Sequence, residues 1–421
     1  MRVLHIITGL GIGGAEQQLR LLLRRLPADC EVMTLTNPGP VADRLRADGV
    51  RVEHLGMRGN RDLRALPRLT RFISRGGYDL VHTHLYRACV YGRPAARLAR
   101  VPSVATEHSL GEHQMEGRPL SRGNRALYLA SERLGQATVA VSETVARRLG
   151  DWGVPGQRIH VVPNGIDSAA FRFDPLRRER TRSALGIAPG AYVVGAVGRL
   201  VPGKRFDLLL RALAEAPGVH LILVGDGPER AALEHLAASL GIRERVQLTG
   251  ECGIDGPGVT VPGVLAAVDV FVSTSREEAF GLAVVEALAA GLPVLHTACP
   301  ALEDLPAEAT GGARLVGAEP AELAARLREL HSAGPRRLPP PGAVTTYDIG
   351  GSAERLMGIY ESVLGQHGSA RGRHGSVPGR AAPTNSAHST ASATSATSAI
   401  SATSATSTTS TTSTTSTTSR S

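Results

Sequence analysis

Short apolar runs alternate with amphipathic segments through the first part of the chain, as strands and helices do when they follow one another. The predicted strands are Val3–Thr8, Glu31–Leu35, Arg51–Leu55, Leu80–His82, Ser103–Thr106, Ala137–Val141 and Arg158–Val161. The segments with helical spacing between them include Gln17–Leu26, Leu63–Ile73 and Ala88–Leu98. This alternation predicts a parallel sheet covered by helices on both faces, with ligands beyond the carboxyl ends of its strands.

A second series of the same kind follows a charged segment, residues 168–190, which we interpret as a helix-breaking connector. Its predicted strands are Tyr192–Val197, His220–Val224, Arg245–Leu248, Val270–Ser273 and Val294–His296, and its helices include Asp207–Glu215, Glu229–Leu240, Leu282–Ala290 and Ala321–Leu330. The pattern predicts an α/β fold with two Rossmann-like domains, 1–167 and 191–351, facing a central cleft. A last amphipathic helix, Ser352–Leu364, is expected to cross back and pack on the first domain.

From about Gly365 the composition changes. Serine recurs at every third position from Ser392 to Ser419, with alanine and threonine between. Such a segment has almost nothing apolar to bury, so residues 365–421 are predicted to be a disordered tail. A mucin-like stalk is the alternative, but nothing in the sequence suggests secretion.

Composition narrows the class of protein. A length of 421 residues favours two domains, and an apolar share of 42% can fill both cores. No apolar run reaches the ~18 residues of a transmembrane helix, and the short run at the N-terminus suits a first strand better than a signal peptide. The four cysteines, Cys30, Cys89, Cys252 and Cys299, form no Cys-x-x-Cys pair, which fits a reducing cytoplasm.

A net charge of +9 favours anionic partners. Nucleic acid is disfavoured among them, because aromatic residues make up only 3% of the chain and offer no platform for stacking bases. Arginines 58, 61, 64, 68, 71 and 75 surround an apolar stripe at the helix Leu63–Ile73. Such a helix could rest on an anionic membrane as a peripheral contact, although an ordinary solvated face over a core stripe is the slightly favoured interpretation.

Three junctions between a strand and a helix carry candidate chemistry. The first is the glycine-rich run Gly9–Glu16, where glycines let the backbone approach a phosphate or a sugar. Its glycines also fit the spacing of a nicotinamide-dinucleotide loop, but the acidic residue required at the end of the second strand is missing, since that strand ends Leu35-Thr36-Asn37. A plain tight turn is the alternative.

The second junction, Val197–Arg205, places Arg199 and Lys204 beside a turn. A departing nucleoside diphosphate needs positive charge as its bond breaks. Since the sequence contains no Asp-x-Asp motif to hold a divalent metal, these two cations could supply that charge instead. A solvated basic turn is the alternative.

The third junction, Ser273–Ala287, is the most specific. The loop with Glu278 leads into a helix near Gly281, where free backbone amides can hold phosphate oxygens. Glu286 lies in the otherwise apolar first turns of that helix, where a carboxylate is costly unless it has partners. Ribose hydroxyls would be suitable partners, and an internal salt bridge is the alternative.

Together these motifs resemble glycosyltransferase family 4, the retaining group with the GT-B fold. The resemblance rests on Glu278-x7-Glu286 with Phe280-Gly281, on Gly198-Arg199 followed by Lys204, and on the start Gly13–Glu16. It also rests on Val162–Asp167 at the end of the first domain and on the strand-end loop Leu223–Pro228. The resemblance covers Met1 to about Leu364. After Pro293–Leu295 the chain departs from the family, because His296–Ala301 replaces a glycine-rich turn.

The resemblance implies roles for individual residues. Arg199 and Lys204 would bind the diphosphate of the sugar donor, and Glu286 would hold the ribose hydroxyls. Glu278 would lie at the donor sugar, while the amides of Phe280, Gly281 and Leu282 would contact sugar and phosphate. Gly13 and Gly14 would close over the diphosphate from the opposite domain, and His108 would lie near the reacting carbon.

We therefore expect transfer of a sugar from a UDP or GDP donor to a hydroxyl acceptor, which a lipid can carry, with retained configuration and without a metal or other cofactor. The expected setting is cell-envelope or polysaccharide assembly in the cytoplasm, at the inner face of the membrane if the acceptor is a lipid. Alternatives are glycosylation of a small natural product, a GT-B epimerase or hydrolase, and a silent sugar-nucleotide sensor. The pair His82 and His84 would touch the acceptor or cap its strand, and it lacks a third ligand for a metal.

Overall fold

The computed structural model describes residues 1–59, 62–111, 114–115, 118–119, 121–256 and 258–375. Within these ranges the chain forms two parallel sheets with helices on both faces. The first sheet has seven strands in the order β3-β2-β1-β4-β5-β8-β9, and the second has six in the order β12-β11-β10-β13-β14-β15. The predicted α/β fold of two Rossmann-like sheets is confirmed.

The strands of the first half are β1 (Arg2–Gly9), β2 (Asp29–Asn37), β3 (Arg51–His54), β4 (Leu80–His84), β5 (Ser103–Glu107), the short hairpin of β6 (Gln114–Met115) and β7 (Arg118–Pro119), β8 (Ala137–Ala140) and β9 (Ile159–Val161). Its helices are α1 (Gly14–Leu23), α2 (Gly39–Ala47), α3 (Ala65–Gly76), α4 (Tyr86–Leu98), α5 (Arg122–Glu132) and α6 (Glu143–Trp152). Every predicted strand of this half is present, with its ends shifted by at most two residues.

The second half begins with α7 (Ser168–Phe171) and α8 (Pro175–Ala184). Its strands are β10 (Tyr192–Val197), β11 (Val219–Val224), β12 (Val246–Gly250), β13 (Val270–Ser273), β14 (Val294–His296) and β15 (Ala313–Leu315). Its other helices are α9 (Phe206–Ala214), α10 (Arg230–Ser239), α11 (Val261–Ala267), α12 (Leu282–Ala289), α13 (Pro300–Glu303), α14 (Pro320–Ala333), α15 (Gly342–Thr346) and α16 (Ile349–Gly375). The edge strand β15 is missing from the predicted strands, because its residues Ala-Arg-Leu are half-buried or exposed and form no apolar run.

The expectation of a helix-breaking connector at 168–190 is wrong, because this segment contains α7 and α8. Two of its arginines are held by a buried acid of the second half. Arg178 and Arg182 each donate to the carboxylate of Asp269, at 2.6 and 2.9 Å, and Asp269 is 2% exposed. The second oxygen of Asp269 also accepts from the backbone amide of Val193, so the network ties α8 to strand β10.

The chain returns to the first sheet through α16. The segment Pro163–Ile166 meets the start of this helix, where Ser352 donates to the carbonyl of Pro163 and Ile349 donates to that of Ile166. Further along, Leu356, Tyr360 and Val363 are buried in the same core as β1 and β4. The helix extends to Gly375, so the first residues of the predicted disordered tail are helical, and 376–421 lie outside the described residues.

The arginine-rich helix α3 packs its apolar stripe inward. Leu69 and Ile73 are buried in a core formed with Leu4, Ile6 and other residues of the first sheet. Arginines 58, 64, 68, 71 and 75 are exposed, and Arg61 lies outside the described residues. Leu69 and Ile73 are therefore unavailable to a lipid surface, whereas Leu63, which precedes the helix and is 79% exposed, and the exposed arginines can contact one.

Candidate active site

A cleft of about 720 Å³ runs between the carboxyl ends of the two sheets. In each sheet the strand order reverses beside a central strand, at β1 and β4 in the first and at β10 and β13 in the second, and such switch points are where α/β folds bind ligands. The predicted site residues all line this cleft: Gly13, Gly14, His108, Arg199, Lys204, Glu278, Phe280, Gly281, Leu282 and Glu286. Their positions are thereby fixed, and their roles stay predictions.

The glycine loop after β1 forms one wall of the cleft. Helix α1 begins at Gly14, directly after the extended Gly13. A Cβ on Gly14 would lie 3.4 Å from Leu282 Cδ1 in the second half, so this is a point of close approach between the two walls. A Cβ on Gly13 would lie 2.5 Å from a carboxylate oxygen of Glu16. Glycines at both positions keep the backbone accessible to a ligand.

The basic turn after β10 lies opposite. Lys204 Nζ is 2.5 Å from Glu278 Oε1, and the same oxygen accepts a hydrogen bond of 2.7 Å from Ser275 Oγ. Arg199 is exposed and forms no ion pair within the part of the chain that the structure describes. Lys204 is therefore neutralised by Glu278, and Arg199 is available to an anion.

Helix α12 starts at the floor of the cleft. Its N-cap Gly281 has φ +104°, a left-handed conformation that side chains disfavour, and a Cβ there would lie 2.5 Å from Cys299 Sγ. The amides of Gly281, Leu282 and Ala283 donate no hydrogen bond to the described residues. Together with the partial positive charge of the helix N-terminus, they can receive phosphate oxygens. The phenyl ring of Phe280 anchors the loop by packing edge-on against Tyr347, with 4.9 Å between ring centroids.

Glu286 points from the same helix into the cleft. Its side chain makes no hydrogen bond or ion pair to the described residues, and burial raises its pKa to about 7. Glu286 is half-buried, and a carboxylate withdrawn from solvent without partners is costly. The sequence alternative of an internal salt bridge is therefore wrong for the described residues, and a ligand with hydroxyl groups would supply the missing hydrogen bonds.

The departure from the family at 296–301 supports this floor. Thr297 Oγ1 donates to the carbonyl of Ser275 at 2.7 Å, and Cys299 packs beneath Gly281. The amide of Ala301 donates to the carbonyl of Phe280. Side-chain and backbone contacts here hold the loop that carries Glu278.

His108 follows β5 on the first wall and is 7% exposed. Its Nε2 lies 3.1 Å from Nδ1 of His84, and burial lowers the pKa of His108 to about 4, so its ring is neutral. The expectation that His82 and His84 lack a third partner is wrong. His5 of β1 lies beside them, with its Nδ1 3.1 Å from His84 Nε2, and the three side chains are close enough for a shared ligand. Parallel pairing of β1 with β4 brings them together.

Contacts across the cleft join its two walls. Arg148 of α6 donates to the carbonyl of Leu110 at 2.8 Å and lies 3.7 Å from the carboxylate of Glu277. Ser142 at the start of α6 donates to the carbonyl of Ala279 at 2.6 Å. On the other side, Arg20 of α1 bonds Asp255 at 2.7 Å. The two walls are therefore linked by side-chain contacts on both sides of the cleft.

Sequence reasoning missed two contributors to this site. Ser275, which orients Glu278, lies inside the quoted third motif, and its spacing of three residues from Glu278 was the available signal. Arg148 bridges the walls from a helix with no motif of its own, so no local signal could have found it.

Two parallel sheets, each covered by helices and facing the other across one cleft, define the GT-B class of fold. The N-terminus of α12 and the basic residues Arg199 and Lys204 lie in that cleft. Residues 12–170 match the model of Glycosyltransferase Family 4, and residues 177–338 match that of Glycosyl transferases group 1. A curated relative, D-inositol 3-phosphate glycosyltransferase 1 of Catenulispora acidiphila, is 30% identical over 350 residues, which cover 75% of this chain and 81% of the relative. The chain belongs to glycosyltransferase family 4.

Other relatives match over shorter segments. D-inositol 3-phosphate glycosyltransferase of Mycolicibacterium gilvum is 34% identical over 277 residues, covering 62% of this chain and 60% of the relative. The chain thus spans about three fifths of that relative's length.

Solved structures share the fold. Anabaena HepE in complex with UDP-glucose gives a TM-score of 0.70 at 24% identity, covering 89% of this chain and 100% of that one. Sucrose-phosphate synthase from Thermosynechococcus elongatus gives 0.64 at 20% identity, covering 89% and 99%. None of the helices in the described ranges has the length and hydropathy that crossing a bilayer requires.

Proposed function

We propose that the protein transfers a sugar from a nucleoside diphosphate donor, with UDP or GDP as the nucleotide, to a hydroxyl acceptor. The observation that carries the proposal is the grouping around α12. Free amides at its N-terminus, the cations Arg199 and Lys204, and the unpartnered carboxylate of Glu286 all face one cleft. The amides and the two cations complement a diphosphate, and the carboxylate complements the hydroxyls of a ribose.

Residues of the two walls have different roles in binding the donor. Arg199, Lys204 and the amides of α12 stabilise the charge that develops on the diphosphate as the bond to the anomeric carbon breaks. Glu286 accepts hydrogen bonds from the ribose hydroxyls and so fixes the nucleoside. Glu278 and His108 contact the sugar, and Gly13 and Gly14 close over the diphosphate from the first wall.

The reaction proceeds with retention. The acceptor hydroxyl attacks from the face that the diphosphate leaves, and its proton passes to the departing phosphate oxygen. The basic turn takes the part that a divalent metal plays in other transferases, so no metal is needed. Support for this comes from the position of Arg199, which is exposed at the cleft beside the turn that holds Lys204.

The acceptor belongs to cell-envelope or glycolipid assembly, and the enzyme works in the cytoplasm. Exposed arginines on α3 would give a peripheral, electrostatic contact with an anionic membrane that carries a lipid-linked acceptor. Because several relatives bear the name D-inositol 3-phosphate glycosyltransferase, D-inositol 3-phosphate is the first soluble acceptor to test.

The test is a screen of UDP and GDP sugars that measures released nucleoside diphosphate and glycosylated product, with and without acceptor and with EDTA. Glu286→Gln should lower turnover at subsaturating donor at least tenfold, while Glu354→Gln on the exposed face of α16 serves as the matched control. Full activity of Glu286→Gln, or strict dependence on added magnesium, would contradict the mechanism. Donor consumption without acceptor would identify a hydrolase or an epimerase instead.

A further inference from the structure

Three buried histidines form a chain that ends at the cleft. His5 Nδ1 lies 3.1 Å from His84 Nε2, and His84 Nδ1 lies 3.1 Å from His108 Nε2. His5 and His84 are fully buried, and His108 lines the cleft. His84 therefore uses both of its ring nitrogens in hydrogen bonds, whereas His5 and His108 use one each. The second nitrogen of His5 and that of His108 are the two ends of the chain.

A neutral imidazole has one N–H and one acceptor nitrogen, so the two hydrogen bonds of this chain must run in the same direction. If His5 Nδ1 donates, then His84 Nδ1 donates to His108, and the proton of His108 is on Nδ1. If the direction is reversed, Nδ1 of His108 is an acceptor. Burial holds the pKa of each of the three rings far below its ordinary value, which keeps all three neutral.

The two free ends decide the direction. Neither His5 Nε2 nor His108 Nδ1 has a hydrogen-bond partner among the described residues, and both atoms are buried. An orphaned N–H inside a protein is rarer than an orphaned acceptor. The two ends differ in their surroundings: His108 lines the cleft and is 7% exposed, whereas His5 is fully buried on the sheet face covered by α16. We therefore assign the N–H to the His108 end, beside the cleft, and the bare acceptor to His5.

His82 stands beside the chain without joining it. Its two ring nitrogens meet Tyr360 of α16 at 2.5 Å and Thr106 of β5 at 2.7 Å. The centroid of its ring lies 4.1 Å from that of His84, with the two ring planes tilted by 35°. The returning helix thus fixes His82, and His82 in turn limits how His84 can rotate.

Resting on the proposed transferase function for the identity of the ligand, we propose that His5 and His84 are positioning residues that hold His108 as its Nδ1–H tautomer, so that His108 donates a hydrogen bond to an acceptor oxygen of the donor sugar. Neither His5 nor His84 need touch the substrate. The tautomer of His5 fixes that of His84, and the tautomer of His84 fixes that of His108 at the cleft.

Nuclear magnetic resonance can identify the tautomer directly. With both ring nitrogens of histidine labelled with ¹⁵N, long-range proton–nitrogen correlations separate the two tautomers, and spectra of His108→Gln and His84→Gln assign the signals. In the ligand-free wild-type protein at neutral pH we expect Nδ1–H forms of His108 and His84. An Nε2–H form of His108, or a charged ring, would overturn the inference.

A distant variant tests the coupling. His5→Phe removes the far end of the chain, so the ring of His108 should shift towards a mixture of tautomers, and kcat/KM for the sugar donor should fall about tenfold, as expected for one lost hydrogen bond. His296→Phe, which replaces a buried histidine of the other sheet, is the matched control and should leave the signals of His108 unchanged. An unaltered His108 in folded His5→Phe would disprove the coupling.

The wild-type spectrum decides the tautomer even if His5→Phe does not fold. It is recorded on the free protein and requires no turnover. Failure of the proposed transferase activity would therefore show in the donor screen and not in this measurement.

Discussion

The ammonium of Lys204 and the carboxylate of Glu278 form an ion pair of 2.5 Å at the mouth of the cleft, and Ser275 holds the carboxylate in place. The pair joins the turn after β10 to the loop after β13, so two separate segments present one site. Glu278 thus neutralises the cation that the proposed mechanism assigns to the diphosphate.

Removing the acid should therefore separate binding from chemistry. Glu278→Gln should tighten binding of UDP several-fold, because Lys204 is released, and should lower the rate of sugar transfer if Glu278 contacts the sugar. Titration calorimetry measures the affinity for UDP, and a transfer assay with the best donor measures the rate of sugar transfer. Weaker binding of UDP would contradict this account.

Removing the partner cation, Lys204, should have the opposite effect on UDP binding. Lys204→Gln should weaken UDP binding roughly 10- to 100-fold, the range expected for a lost charge-assisted hydrogen bond. Lys204 is partly exposed, with 27% of its side chain accessible, so the lower part of that range is expected.

Affinity for the sugar donor should depend on pH through Glu286. In the proposed mechanism its carboxylate form accepts hydrogen bonds from ribose, and burial raises its pKa to about 7. Binding of UDP-glucose should therefore strengthen as pH rises towards 7, by at most about tenfold per unit, and then level off. Calorimetry between pH 5.5 and 8.5 measures this, and Glu286→Gln should flatten the curve.

Stability should show the opposite dependence. The pKa of Glu286 is raised from 4.5 to about 7, so the folded protein favours the protonated acid, and this contribution is lost as pH rises through 7. Glu286→Gln should then stabilise the protein by up to about 3 kcal/mol at pH 8 and by little at pH 4.5. Urea unfolding at both pH values tests the sign, and an equal gain at both would contradict it.

Gly281 should tolerate no side chain. Gly281→Ala places a Cβ at φ +104° and 2.5 Å from Cys299 Sγ, which should destabilise the protein by about 1–3 kcal/mol and weaken binding of phosphate at α12. Gly150→Ala lies inside helix α6 with open space around it, and should be neutral or stabilising. Urea unfolding of both variants gives the difference, and equal stabilities would argue against strain at Gly281.

Asp269 should be essential for stability although it lies outside the cleft. It is 2% exposed, and Asp269→Asn leaves Arg182 buried without its counter-charge, which should cost about 3–5 kcal/mol. Asp43→Asn is the control, because its partner Arg46 lies on an open surface and the pair should be worth less than about 1 kcal/mol. Thermal unfolding in a calorimeter compares the two, and a similar small loss in both would contradict the role of Asp269.

Much of the fold follows from the sequence alone. Alternating strands and helices predict two parallel sheets, and the residues that follow β1, β10 and β13 are predicted to share an edge because parallel strands end on the same side. The motif around Glu278 and Glu286 is local, since a strand end, a glycine N-cap and the first turns of a helix are consecutive in the chain. A site whose residues are consecutive in this way can be predicted from the sequence alone.

Other features depend on residues far apart in the chain. His5 meets His84 only through the register of β1 with β4, and Tyr360 reaches His82 only because α16 crosses back to the first sheet. The segment 168–190 is predicted from the sequence to be a charged, helix-breaking connector, because the sequence shows its arginines but not their partner Asp269, which lies in a later segment.

The sequence by itself determined the two-sheet architecture, the family and the residues that line the cleft, because periodicity and short motifs are carried by neighbours in the chain. Only the tertiary structure decided which of those residues are already paired. Lys204 is held by Glu278, Glu286 has no partner among the described residues, and His108 stands at the end of a chain of hydrogen-bonded histidines. Pairing, burial and tautomer depend on what packs against each group, and packing brings together residues that the order of the chain keeps apart.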